Sequence, residues 1–173
     1  MVKELTDGTW GVGTAGEVEF AAHEDGIDLL AVRPEEGWRY SAKQKRPNRL
    51  DVTFKRGNEA YELELRARNG VLWAELEHEI EHAEPGRWPV AQAGVVELAV
   101  EDDRLRLVGV EPAQGWTHRV AKQARDDVEV VFSAGGEDWE LEAELDDGAL
   151  EVETTYRVVG PLRGATAATT EDR

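Results

Sequence analysis

The chain has 173 residues, no cysteine and a formal net charge of −17 at neutral pH. The lack of cysteine excludes disulfides, cysteine-ligated zinc and thiol catalysis. The negative charge argues against nucleic acid and anionic membranes as partners, because both are recognised through basic side chains.

Residues 1–9 lack the apolar run of a signal peptide, and no stretch is apolar enough to cross a membrane. We expect no membrane insertion, and the compartment stays open: cytoplasmic, or exported with the signal removed. Hydrophobic residues make up 40% of the chain and recur with a clear period, which indicates a folded protein.

The N-terminal half is predicted to be β-structure throughout. A short leading strand at 10–12 precedes alternating apolar and polar residues at 17–22, 50–55 and 61–68, the pattern of half-buried strands. The stretch 27–32 is apolar on both faces, which predicts a central strand covered on both sides. We expect six main strands besides the leading one.

Turn signals separate these strands. Asn69-Gly70 predicts a two-residue hairpin, because a type I′ turn needs positive φ at both central residues. Gly57-Asn58 and Glu24-Asp25-Gly26 mark two further hairpins, and Pro34–Trp38 marks a corner where the chain changes sheets. The run 74–83 has the composition of a helix, but its counterpart 152–159 is β-branched and alternating, so we predict a strand in both.

The second half repeats the first. Residues 88–153 match residues 10–75 at a constant offset of 78 positions without a gap, and about a third of the aligned positions are identical. Each turn of the first copy therefore has the same length as its equivalent in the second copy. We predict a first repeat at 1–83, a second repeat at 84–162 and a mobile tail at 163–173.

These patterns predict an all-β fold of two tandem antiparallel β-sandwiches of immunoglobulin-like type. The alternative is a single closed meander β-barrel built from both repeats, with room for a ligand inside. The repeat resembles small β-sandwich modules of bacterial exported proteins, but no motif is specific enough to transfer residues from them. The paired aromatic positions, among them Tyr61 and Trp139, are interpreted as core rather than as sugar platforms.

The string His78-Glu79-Ile80-Glu81-His82 matches the H-E-x-x-H motif of zinc hydrolases. That chemistry needs a helix, which places both histidines on one face. On a strand they lie ~13 Å apart. We therefore expect no metal, no cofactor and no catalytic residue, and we keep a zinc-dependent hydrolase only as a remote alternative.

The candidate binding residues lie in the first repeat. Across the Asn69-Gly70 turn, Arg66 should face Trp73 with both side chains on the outer sheet face. A tryptophan beside an arginine is typical of an interaction hot spot, and packing of Trp73 against the second repeat is the equal alternative. A basic stretch completes the set with Arg39, Lys43, Lys45 and Arg46, and it continues with Arg49, Lys55 and Arg56.

Charge is divided unevenly between the repeats. Residues 10–79 carry 10 basic and 14 acidic side chains, whereas residues 88–157 carry 6 and 17. In the second repeat, Glu144 should face Glu151 and Glu142 should face Glu153 on one solvated sheet face. The basic stretch of one unit and the acidic face of the other would steer head-to-tail packing, within a chain or between chains. The alternatives are an anionic ligand, such as a polysaccharide, and a solvated basic edge that blocks strand-to-strand aggregation.

The sequence therefore predicts a non-catalytic binding or structural module that acts through its outer sheet faces. Its partner would be another protein or a second copy of the chain. A small-ligand carrier with an interior cavity is the alternative, and it depends on the barrel.

Overall fold

The computed structural model of the chain describes residues 8–161, which form fourteen β-strands and no helix. The all-β prediction is thus confirmed. Nothing within 8–161 is a helix that could span a membrane. The predicted mobile tail at 163–173 lies outside the described residues.

Each repeat contributes seven strands, one short leading strand and six longer ones, as predicted. Those of the first repeat are β1 (Gly8–Val12), β2 (Gly16–His23), β3 (Gly26–Pro34), β4 (Arg39–Arg46), β5 (Arg49–Arg56), β6 (Glu59–Arg68) and β7 (Val71–Ala83). Those of the second are β8 (Gly86–Val90), β9 (Gly94–Val100), β10 (Leu105–Pro112), β11 (Thr117–Gln123), β12 (Asp127–Ala134), β13 (Glu137–Asp146) and β14 (Ala149–Pro161).

The strands form three antiparallel sheets. Two have three strands each, in the orders β1-β2-β3 and β10-β9-β8, and the third has eight strands in the order β11-β12-β13-β14-β7-β6-β5-β4. None of them closes into a barrel, so the barrel alternative is not the observed architecture. Strands of one repeat follow each other in sequence order, whereas immunoglobulin-like sandwiches use Greek-key connections. The immunoglobulin-like detail is not confirmed.

The two repeats join through β7 and β14, which pair antiparallel at the centre of the large sheet. In this register Glu77 faces Thr155, and these residues occupy the same position of the two repeats, 78 residues apart. A pseudo-twofold axis therefore passes between them. The repeats share one continuous open sheet, whereas the predicted sandwiches have separate sheets and the predicted barrel is closed.

Two hydrophobic cores lie between the large sheet and the small ones. The first includes Phe20, Ile27 and Leu63, and the second includes Leu98 and Phe132. Burying a side chain of this size contributes about 1.5–3 kcal/mol. Two β14 residues, Tyr156 and Val158, belong to the first core, so the second repeat helps to fill the first.

The hairpin at Asn69-Gly70 has the predicted geometry. Its φ values are 52° and 71°, and those of the equivalent Asp147-Gly148 are 47° and 80°. Positive φ at both central residues is what a type I′ turn requires. The turn chemistry therefore sets the registers of β6 on β7 and of β13 on β14.

The prediction of a central strand at 27–32 is wrong. β3 is the edge strand of its sheet, and Leu30 is 58% exposed. The register shifts between Glu19 and Phe20 leave Leu30 without a partner, which is a β-bulge. The equivalent Val108 is also 58% exposed, at a shift in β10. Because each bulge turns Leu30 or Val108 outward, apolar residues occur at consecutive positions of the strand. The sequence of such a strand therefore resembles that of a strand covered on both faces.

Candidate functional site

The outer face of the large sheet carries the predicted Trp73–Arg66 pair. Arg66 of β6 lies opposite Trp73 of β7, as the turn predicted. Trp73 is 38% exposed, and its neighbour on β14, Val159, is 49% exposed. The arginine guanidinium is engaged by Glu64 in a salt bridge. Trp73 and Val159 thus form an exposed apolar floor at the end of β6, β7 and β14.

This floor belongs to a groove of about 850 Å³, here called the basic groove. Its charged lining comprises six basic and two acidic side chains: Lys45, Arg46, Arg49, Arg66, Arg68, Arg157, Glu64 and Glu75. Such an excess of positive charge is unexpected in a chain of net charge −17. The groove is therefore a local basic region on an otherwise acidic protein.

A buried carboxylate orients one wall of the groove. The side chain of Asp51 is 6% exposed and forms salt bridges with Lys45 and Arg49, the latter at 3.1 Å from Nε to Oδ1. Burial alone would raise the pKa of Asp51, but the hydrogen bonds from Lys45 and Arg49 outweigh it and the pKa lies below its usual value. Arg49 also contacts Glu64. These cations are thus fixed before any ligand arrives.

The second repeat closes the other end of the groove. Arg157 of β14 donates to Glu75 at 2.5 Å and to Glu140 at 2.7 Å. It can reach the groove only because β14 pairs with β7. Arg46 and Arg68 form no salt bridge within 8–161. Their charges are therefore open to a partner.

The structure assembles some of the predicted residues and separates others. Trp73, Arg66, Lys45 and Arg46 line the basic groove. Lys43 lies instead in a separate depression with Glu62 and Glu77. Arg39 is at the far end of β4, opposite Lys55. A β-bulge between Gln44 and Arg46 accounts for part of this, since it changes which side chains of β4 reach the groove.

Sequence reasoning missed Arg68 and Arg157, whereas Arg49 belongs to the predicted basic stretch and lies in the groove directly opposite Arg66. Arg68 follows Arg66 by two positions and so shares its face. For Arg157 the sequence contains no signal, because its position depends on the junction between the repeats.

The pseudo-twofold axis relates the basic groove to a depression of opposite charge, the acidic depression. It is smaller, about 220 Å³, and its lining includes Glu144, Asp146 and Glu151. These three residues are the equivalents of Arg66, Arg68 and Trp73. The predicted pairs of Glu144 with Glu151 and of Glu142 with Glu153 are both observed. The outer face of the large sheet is therefore basic at one end and acidic at the other.

Carboxylates crowd together at the axis between these ends. The pKa of Glu77 is raised to about 7, first by burial and then by the charges of Glu153, Glu75 and Glu62. Burial and neighbouring acids also raise the pKa values of Glu142 and Glu151. No group of three potential ligands that could hold a metal ion occurs among residues 8–161.

The H-E-x-x-H string lies on strand β7, so the helical arrangement that zinc hydrolases use is not formed. The His78 ring stacks on Tyr61 with centroids 4.0 Å apart, and its Nε2 lies 2.9 Å from Glu59 Oε1. Burial lowers the pKa of His78 despite this carboxylate. His82 sits at a bulge with φ of 53°.

Comparison with known proteins gives no match, since no family model, curated protein or solved structure is significantly similar to the chain.

Proposed function

We propose that this protein is a non-catalytic binding module that takes an acidic protein segment in its basic groove. The proposal rests on one observation. Six basic and only two acidic side chains line the basic groove around an exposed tryptophan, in a chain of net charge −17. Arginine and tryptophan are the residues most often found at the energetic centre of protein interfaces.

The fixed positions of the cationic side chains in the basic groove support this function. The carboxylates of Asp51 and Glu64 hold Lys45, Arg49 and Arg66 in place, so a partner does not have to immobilise these long side chains. Arg46 and Arg68, which have no salt bridge within the described residues, supply the unpaired charge. Trp73 on β7 supplies apolar area between the arginines of β6 and Arg157 of β14.

A second copy of the chain carries a matching surface, the acidic depression. Docking one molecule's acidic depression on another's basic groove would be a head-to-tail contact, which builds rings or filaments rather than closed dimers. Self-association is therefore the first case to test. The functional unit in this proposal is the tandem pair of sandwiches, because Arg157 comes from the second repeat.

The test uses poly-L-glutamate as the acidic probe and the whole chain. We expect binding that weakens as salt rises and that falls about tenfold or more in Arg68→Glu. Arg119→Glu is the matched control, because it changes the net charge equally at an exposed strand position outside the groove. Equal weakening by both variants, or no binding by the native chain, contradicts the proposal.

Trp73→Ala separates binding from folding. We expect weaker binding with a small loss of stability, because Trp73 belongs to neither core. Sedimentation of the native chain at increasing concentration then tests self-association, which Arg68→Glu should abolish. Assembly that persists in Arg68→Glu would mean that the chains meet elsewhere.

A further inference from the structure

A second concavity lies over the same junction, on the inner face of the large sheet. It has a volume of about 600 Å³ and is walled by the leading strands β1 and β8 and the turns that follow them. We call it the dyad cleft, because it lies over the pseudo-twofold axis. Its size falls within the roughly 300–1,000 Å³ of small-molecule sites, which often form between domains.

The two repeats contribute equivalent positions to the dyad cleft. Its lining includes Tyr61 with its equivalent Trp139, Leu76 with Thr154, and His78 with Tyr156. β7 and β14 place these residues side by side, since Leu76 pairs with Tyr156 and Thr154 with His78. The cleft therefore exists only where both repeats meet, and neither repeat forms it alone.

Aromatic rings in the cleft are stacked in two equivalent pairs. His78 lies on Tyr61 with centroids 4.0 Å apart and planes at 1°, and Trp139 lies on Tyr156 at 4.8 Å and 26°. The two tyrosines are buried, with 7% and 6% exposure. They support the partly exposed rings of His78 and Trp139. Trp10 adds a third partly exposed ring, 6.5 Å from Tyr156.

The cleft is uncharged. No Asp, Glu, Lys or Arg lines it within 8–161, although these residues make up 33% of the chain. Burial lowers the pKa of His78, so its ring is neutral at pH 7. With Nε2 donating to Glu59, Nδ1 remains as an acceptor. Thr9, Gln92 and Thr154 add neutral groups that both donate and accept.

We propose that the dyad cleft binds a neutral saccharide. A pyranose ring has apolar C–H faces that pack on aromatic rings and equatorial hydroxyls that exchange hydrogen bonds with hydroxyl, amide and imidazole groups. An ionic ligand would lose hydration without gaining an opposite charge, which is costly. A fully apolar ligand would displace water from Thr9, Gln92 and Thr154 without replacing its hydrogen bonds.

The test titrates the whole chain with a panel of neutral trisaccharides: gluco-, xylo-, manno- and N-acetylglucosamine-based, in α- and β-linked forms. Calorimetry and tryptophan fluorescence are the readouts. We expect at least one member to bind with a Kd at or below about 1 mM, and an anionic uronic-acid trisaccharide to bind at least about tenfold more weakly. Absence of binding by every neutral member overturns the proposal, as does equal binding of the anionic sugar.

Trp10→Ala and Trp88→Ala form a matched pair of variants. The two tryptophans are equivalent and each packs on its own core, but only Trp10 lines the dyad cleft. We expect Trp10→Ala to weaken binding about tenfold and Trp88→Ala to leave it within about twofold. Thr154→Val, a change of similar volume, serves if Trp10→Ala does not fold. Loss of binding in Arg68→Glu instead would locate the sugar in the basic groove and refute the dyad cleft.

Discussion

Glu77 and Thr155 face each other at the centre of the eight-stranded sheet, and they are one position of the repeat present twice. The β7–β14 pair therefore resembles the contact between two identical subunits, with both copies in one chain. The basic groove, the acidic depression and the dyad cleft are all placed by this single pairing.

The junction predicts how the second repeat behaves alone. Residues 84–161 keep their own core between β8–β10 and β11–β14, but β14 becomes an open edge and Tyr156 loses its contacts with the first core. We expect this fragment to unfold cooperatively and to dimerise, with β14 pairing to its copy around a true twofold axis. Sedimentation and thermal unfolding measure both properties.

The whole chain at equal concentration is the control, because its β7 already covers β14. A fragment that stays monomeric and folded would show that the β14 edge does not need a partner. A fragment without a cooperative transition would mean that the repeats fold only as a pair.

Much of this architecture could be predicted from the sequence, because turns and strand registers are determined by residues close together in the chain. Asn69-Gly70 and Asp147-Gly148 determine their turns, the turns determine register, and register places Arg66 opposite Trp73 and Glu144 opposite Glu151. These steps need only residues close together in the chain.

What could not be predicted depends on contacts between distant segments. The outer faces of β7 and β14 are both rich in glutamate, so charge alone gave no reason to pair them, and Arg157 could not be placed near Glu75. The bulges at Leu30 and Val108 interrupt the two-residue period, which made an edge strand resemble a central one. Tyr61 was correctly predicted as core, while the cleft above it depends on the junction.

Glu77→Gln should change how stability depends on pH. The pKa of Glu77 is about 7 in the folded chain, because of burial and of Glu153, Glu75 and Glu62, and near its ordinary value of 4.5 when unfolded. The folded state then binds more protons between these values, so stability falls as pH rises from 4.5 to 7. Solvent screening reduces the effect to about 1–2 kcal/mol.

Denaturant unfolding of both proteins at pH 4 and pH 8 checks this. Glu77→Gln should gain stability relative to the native chain at pH 8 and differ little at pH 4. Glu35→Gln, the same substitution at an exposed position outside this cluster of carboxylates, is the control. Equal effects of Glu77→Gln at both pH values would contradict the role of ionisation.

Asp51→Ala should show the opposite pH dependence. The folded pKa of Asp51 is depressed by Lys45 and Arg49 against the effect of burial, so its stabilisation is present above the ordinary pKa of 3.8 and is lost as pH falls through the folded value. At pH 7 the variant should lose about 2 kcal/mol, because two cations lose a buried partner.

The same variant should weaken poly-L-glutamate binding, because Lys45 and Arg49 are no longer held in the groove. Acid titration is the internal control, because the difference between the two proteins should shrink as the native carboxyl takes up its proton below 3.8. A difference that stays constant down to the lowest pH at which both proteins fold would indicate lost packing rather than lost charge.

The repeat offers a paired test of the wall of the dyad cleft. Gly13 has φ of 49°, and a Cβ atom there would lie 2.6 Å from the Tyr61 ring. Its equivalent is Ala91, which has φ of 43° and already carries a Cβ. Gly13→Ala should therefore cost about 2–4 kcal/mol, from the left-handed backbone and the clash together. Ala91→Gly should change stability by less than about 1 kcal/mol.

Thermal unfolding of both variants measures the difference, and the double variant Gly13→Ala/Tyr61→Leu identifies its cause. Removing the ring should recover part of the loss caused by the new methyl group, so the two substitutions should be less than additive. Full additivity would assign the cost to the backbone alone. In that case the Tyr61 ring does not press on the turn, and the wall of the cleft is looser than the structure shows.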